Sequence, residues 1–113
     1  MDTAARTRGL ITDLFRWWCT GGADKNIERQ LTEDAVYDGG MPALTIEEFI
    51  WRAQDGAALE DVRLVEVIVQ EEKGALVYEC KDPVTLLKHR VVWFVETRGG
   101  KIVRIREVIG QIA

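Results

Sequence analysis

Residues 86–109 read LLKHRVVWFVETRGGKIVRIREVI, two runs of β-branched and aromatic residues separated by Arg98, Gly99 and Gly100. Such runs favour strands and the glycine-rich separator is a hairpin signal, so 86–96 and 101–109 are expected to pair antiparallel. Side chains alternate across a strand, which sorts each run into two faces. In the first run Leu87, His89, Val91, Trp93 and Val95 share one side, and Lys88, Arg90, Val92, Phe94 and Glu96 the other. In the second, Val103, Ile105, Glu107 and Ile109 form the apolar side, while Ile102, Arg104, Arg106 and Val108 form the wetter one. Keeping the two apolar sides together calls for a three-residue loop, which sets His89 opposite or diagonal to Glu107.

Upstream, 62–69 and 75–81 have the same strand-forming character, with turns at 71–74 and 82–83. The N-terminal half follows a different period. Leu10, Ile11, Leu14, Phe15, Trp17 and Trp18 recur at three- and four-residue spacings, which predicts a helix over 3–19 that Gly21 and Gly22 stop. A second helix is expected over 24–31, with Ile27 and Leu31 inward and Lys25, Glu28 and Arg29 solvated. A short strand at 35–38 then ends in Gly39, Gly40 and Pro42. Thr45 followed by Glu48 fits a capping box, opening a third helix that carries Ile46, Phe49, Ile50 and Ala53 and ends near Gly56. Helices first and strands afterwards, with short connections, predict one α+β domain over 1–113: three N-terminal helices packed in the concave face of a curved antiparallel sheet.

The 113 residues suffice for a single core, and 47% hydrophobic with 30% charged residues is a globular composition. A net charge of -4 with scattered basic residues excludes the electrostatic footprint of a nucleic-acid binder. No run reaches the length of a membrane span and the first residues do not resemble a signal peptide, so a cytoplasmic protein is expected, with Cys19 and Cys80 reduced. A single His and no close Cys or His pair leave a structural zinc site without ligands, and no cofactor is expected.

Polar residues on apolar faces are the candidates for chemistry. A carboxylate enclosed by Val, Ile and Trp side chains is poorly solvated, which suits it to general acid or base work, and Glu107 is in that position with His89 nearby to tune it. The same two residues can instead satisfy each other or the backbone in a half-buried patch. Tyr37 and Asp38 end their strand where they can reach a pocket mouth, or where Asp38 can brace the glycine turn. Alternation turns Leu76, Tyr78 and Cys80 inward and Val77, Glu79 and Lys81 outward. Cys80 reads as a small buried hydrophobe. Trp17 and Trp18 read as core and rim of the helical stripe. On the sheet's other side Val92 and Phe94, lying among Lys88, Arg90 and Glu96, form a candidate surface for a second copy.

The order of elements, LTEDAVYDGG (31–40), TIEEFIWRA (45–53) and WFVETRGGKIVRIREVI (93–109) together resemble the nuclear transport factor 2-like superfamily, SnoaL-like proteins in particular. The resemblance implies a cone-shaped fold, a homodimer through the outer sheet face, and an apolar pocket lined by Trp93, Trp18, Phe15 and Tyr37. Among catalytic members, limonene epoxide hydrolases are similar at Ile105-Arg106-Glu107-Val108-Ile109, which puts Glu107 at a catalytic Asp and Tyr37 at a pocket Tyr. Their arginine falls on or near Lys81 in VYECKD, which implies a substrate-binding Lys81 turned inward. Ketosteroid isomerases carry a Tyr where this chain has Phe15, and their base falls at Asp38 or Gly39. The expectation is an enzyme of hydrolase, isomerase or cyclase type acting on a small apolar molecule, with Glu107, His89 and Asp38 as catalytic candidates. The alternative is a non-catalytic ligand-binding or dimerisation domain of the same fold.

Overall fold

The computed structural model describes residues 2–22, 25–39, 44–55, 60–82 and 85–112. The Asp2 carboxylate accepts a hydrogen bond from the Ala5 N–H at 2.7 Å and caps helix α1 (Thr3–Cys19). Thr7, Leu10, Ile11, Leu14 and Trp17 form its buried stripe. Gly21 and Gly22, with φ of 78° and 70°, take the chain out of the helix as expected, and the Gly22 N–H returns to the Trp17 carbonyl at 2.9 Å. The Thr7 hydroxyl also lies 2.7 Å from the Glu71 carbonyl, fastening α1 to a turn of the sheet.

The expected second helix is not an α-helix. Its place holds one 3₁₀ segment, Lys25–Gln30, with Ile27 buried; Leu31 is taken instead by strand β1 (Leu31–Asp38), where it pairs with Ile102. A run this short forms few α-helical hydrogen bonds, and with Leu31 held in the sheet it takes the tighter 3₁₀ geometry common in short pieces. Strand β2 (Leu44–Thr45) leads into helix α2 (Ile46–Asp55), and the Thr45 hydroxyl accepts from the Glu48 N–H at 3.3 Å, half of the anticipated capping box. The described helices are therefore two α-helices, not three. Gly40, Pro42 and Gly56 lie outside the described residues.

Strands β3 (Glu60–Gln70), β4 (Lys73–Lys81), β5 (Lys88–Arg98) and β6 (Lys101–Ile112) complete a six-stranded sheet in the order β2-β1-β6-β5-β4-β3. All neighbours are antiparallel except β1 and β6, which run parallel, so the sheet is mixed. It is also open. The order ends at β2 and β3, which do not pair with each other, and the expected cone or barrel does not close. α1 packs against β3 and β4 and α2 against β1 and β2, so the core lies between the helices and one face of the sheet. None of the described helices is long and apolar enough to cross a membrane.

The β5–β6 hairpin corrects the loop. Gly99 and Gly100 alone make the turn, at φ 59° and 80°, and Arg98 pairs with Lys101. Both values are in the left-handed region that a two-residue hairpin turn demands. The odd residue sits further along: between Glu96 and Thr97 the register shifts, and Val103 is left unpaired in β6. This bulge restores the parity that a three-residue loop would have supplied. It also turns Ile102 into the core, fully buried, although simple alternation puts it on the wetter side.

Candidate functional site

The register arranges the inner face in cross-strand rows. Gly74, Val95, Ile105 and Tyr37 form the innermost, followed by Val67, Leu76, Trp93 and Glu107, and then by Leu64, Tyr78, Val91 and Ile109. Cys80, His89 and Gln111 form the last. The middles of these rows are buried, but Leu64 and Ile109 are 44% and 54% exposed. The inner face thus has an apolar rim at the end where the helices no longer cover it, and Glu107 stands one row inside.

Glu107 faces the core side, as alternation predicts, and is half-buried. Opposite it is Trp93, 0% exposed, whose indole N–H donates to Glu107 Oε2 at 2.8 Å. Trp93 is also the hub of an aromatic cluster. The rings of Tyr78, Trp18 and Phe15 stand edge-on to it at 5.6, 5.8 and 6.2 Å, Phe49 stacks on Trp18 at 5.0 Å, and Tyr37 meets Phe49 at 4.6 Å. Phe15, Trp18, Tyr37 and Trp93 thus belong to one aromatic cluster, which Trp93 joins to Glu107.

Other expected members do not join them. His89 pairs with Gln111, four residues along β6 from Glu107, a separation of roughly 13 Å at strand rise. The two-residue turn with its bulge slides β6 by two positions relative to the three-residue loop, which keeps His89 on the inner face but removes it from Glu107. Its Nδ1 is buried without a hydrogen-bond partner among the described residues, and its cross-strand neighbour is Cys80. Asp38 points off the opposite face and meets Arg104 at 3.4 Å. Lys81 follows the alternation of β4, on the face of Glu79 and away from Tyr78 and Cys80. Glu79 is held by Arg63 and Arg90, both at 2.6 Å, and these hydrogen bonds keep its carboxyl below the ordinary Glu value.

Tyr78 is the residue that the sequence left as plain core. Its ring is 2% exposed beside Trp93 and Phe15. Burial, and next the Glu107 charge, push its phenol well above the usual tyrosine value, so it stays a hydrogen-bond donor. Burial likewise raises the thiols of Cys80 and Cys19, the latter to about 11 with a further contribution from Cys80. Neither is an activated nucleophile. At pH 8, Cys19 should alkylate about a hundredfold more slowly than a thiol of ordinary pKa, with a rate still rising tenfold per pH unit. A plateau below pH 9 in iodoacetamide labelling followed by mass spectrometry would contradict this.

Gly39 closes the site from the β1 side. A Cβ there would lie 2.5 Å from the Tyr37 hydroxyl and 2.8 Å from Glu107 Cβ. The close approach brings the phenol and the carboxylate-bearing side chain against one backbone. Gly39→Ala should cost about 1–3 kcal/mol in urea denaturation, because a fully packed ring has to move. Among the described residues no group of His, Cys, Asp and Glu is arranged to hold a metal ion.

No family model matches the sequence, and no curated protein matches it either. Solved structures do. A protein from Kribbella flavida, provisionally assigned as a ketosteroid isomerase, superposes with a TM-score of 0.83 at 17% identity, covering 100% of this chain and 84% of the other. An NTF2-like protein of unknown function from Burkholderia xenovorans superposes at 0.80 and 13% identity, covering 98% and 88%. The fold is that of the nuclear transport factor 2-like proteins. A third structure, provisionally assigned as a SnoaL-like polyketide cyclase from Jannaschia sp., superposes with a TM-score of 0.81 at 12% identity, over 96% and 88% of the two chains. At these identities the NTF2-like scaffold is what is shared.

Proposed function

We propose that this chain is a small-molecule enzyme in which Glu107 acts as general base, then acid, on a small and mostly apolar substrate. The observation that carries the reading is the half-buried Glu107 carboxylate, anchored at one oxygen by the hub of an aromatic cluster, Trp93, one row inside an apolar rim. Anchoring one oxygen orients the carboxylate and leaves the other for a substrate proton. Tyr78 supplies the complementary group, a protonated phenol within electrostatic reach of Glu107.

A base and a hydrogen-bond donor in one apolar site suit removal of a proton next to a carbonyl. Glu107 takes the proton, the bonding electrons move onto the carbonyl oxygen, and the Tyr78 hydroxyl stabilises the resulting oxyanion. Isomerisation and aldol-type cyclisation both begin with this step, in keeping with the provisional assignments of two of the similar structures. With Lys81 on the outer face, the epoxide-hydrolase alternative lacks its inward cation. In D2O the protein should accelerate deuterium incorporation next to the carbonyl of 2-tetralone, followed by NMR, with Glu107→Gln losing the effect and Tyr78→Phe retaining part of it. Exchange no faster than in buffer, or unaffected by Glu107→Gln, would remove the assignment.

A second reading has its own observation. On the outer face Ile68, Phe94 and Val108 are each more than 40% exposed, with Val77 and Val92 between them. That apolar band supports contact with a second copy, whether or not the inner site is catalytic. Sedimentation showing only monomer at high concentration counts against it.

A further inference from the structure

A concavity lined by charged side chains other than Glu107 lies at one end of the sheet. A cavity of about 310 Å³ lies between the ends of β3, β4 and β5, lined by Asp61, Arg63, Glu79, Cys80, Lys81 and Lys88. Two features of the backbone create it. β3 breaks register between Glu60 and Arg63, with Asp61 in a left-handed conformation at φ 51°. On the other side Lys81 and Lys88 face each other as the last registered pair of the β4–β5 ladder. The link between them is tied down by hydrogen bonds from Asp82 N–H to the Leu87 carbonyl and from Leu86 N–H to the Asp82 carbonyl, both 2.9 Å.

Like charges directly opposite on adjacent strands repel. On the same face Glu79 is already shared between Arg63 and Arg90, and Glu60 is the registered neighbour of Lys81 on β3. Neither lysine has an ion-pair partner among the described residues. Asp61 is the one opposing charge in the lining beyond Glu79, and Arg63 and the two lysines outnumber these two acids. Three cations against two acids give this lining a net positive charge in a protein whose own net charge is -4. We propose that this cavity binds a small phosphate dianion, bridged between Lys81 and Lys88, with the remaining volume taking the organic part of a phosphate monoester. Lysine ammonium groups suit phosphate as compact charges, and a bridging dianion converts the repulsion between them into attraction.

Thermal unfolding and isothermal titration with inorganic phosphate and with glycerol 3-phosphate, at constant ionic strength, test this. Both ligands should raise the melting temperature, and Lys81→Gln/Lys88→Gln should weaken binding at least tenfold, while the remote Lys101→Gln leaves it unchanged. Tighter binding of glycerol 3-phosphate assigns the extra volume to the ester; equal affinity restricts the site to the free anion and overturns that part of the proposal. If the double variant responds to phosphate as the wild type does, the site is overturned. This result is independent of the Glu107 assignment, whose exchange assay does not involve either lysine.

Discussion

Trp93→Ala should be the most destabilising single substitution in the described core, costing about 3–5 kcal/mol in urea denaturation. Trp93 is wholly buried, three aromatic rings stand edge-on to it, and its N–H holds Glu107. Truncation would remove the hub of the aromatic cluster and leave a charged oxygen without its donor. Against a total stability of about 5–15 kcal/mol for a domain, such a loss brings the variant close to unfolding. Trp93→Phe divides the effect. It keeps most of the apolar volume but removes the N–H, so its smaller cost, about 1–3 kcal/mol, reads chiefly the orphaned carboxylate. If Trp93→Ala costs less than 1 kcal/mol, the ring cannot be the centre of the packing described.

Which parts of this arrangement were legible in the sequence follows from what alternation can and cannot encode. The α1 stripe and its Gly21–Gly22 stop were readable because helical period and chain reversal are local properties. The inward Glu107 and outward Lys81 were readable because each depends only on parity within one strand. Parity is unchanged when one strand slides by two residues along its neighbour. The proximity of His89 to Glu107 depends on that slide, and the Val103 bulge resolved it the other way, setting Trp93 opposite the carboxylate.

The same limit explains Tyr78 and the 3₁₀ segment. Tyr78 carried the signature of a core residue, and only the register of β4, β5 and β6 brings its phenol within reach of Glu107. Ile27 and Leu31 have helical spacing, but Leu31 gains a strand partner in Ile102 from the far end of the chain, a competition absent from any local window. The openness of the sheet is likewise a long-range property, decided by whether β2 and β3 meet.

Glu107→Gln is the substitution expected to separate chemistry from architecture. Glutamine is nearly isosteric, and its side-chain carbonyl can still accept from the Trp93 indole at the 2.8 Å position, so the aromatic cluster should remain intact. Stability should change by no more than about 1 kcal/mol, the difference between a charged and a neutral acceptor. Catalysis of 2-tetralone exchange should fall by about 10²–10⁴-fold, because an amide neither takes nor returns a proton at neutral pH. Glu107→Ala makes the complementary comparison: it loses the same activity but also orphans the Trp93 N–H, adding about 1–3 kcal/mol of instability. Equal exchange rates in wild type and Glu107→Gln, with the fold intact, would leave Glu107 as a partner of Trp93 and nothing more. A large rate loss with unchanged unfolding would assign the proton transfer to the carboxylate itself.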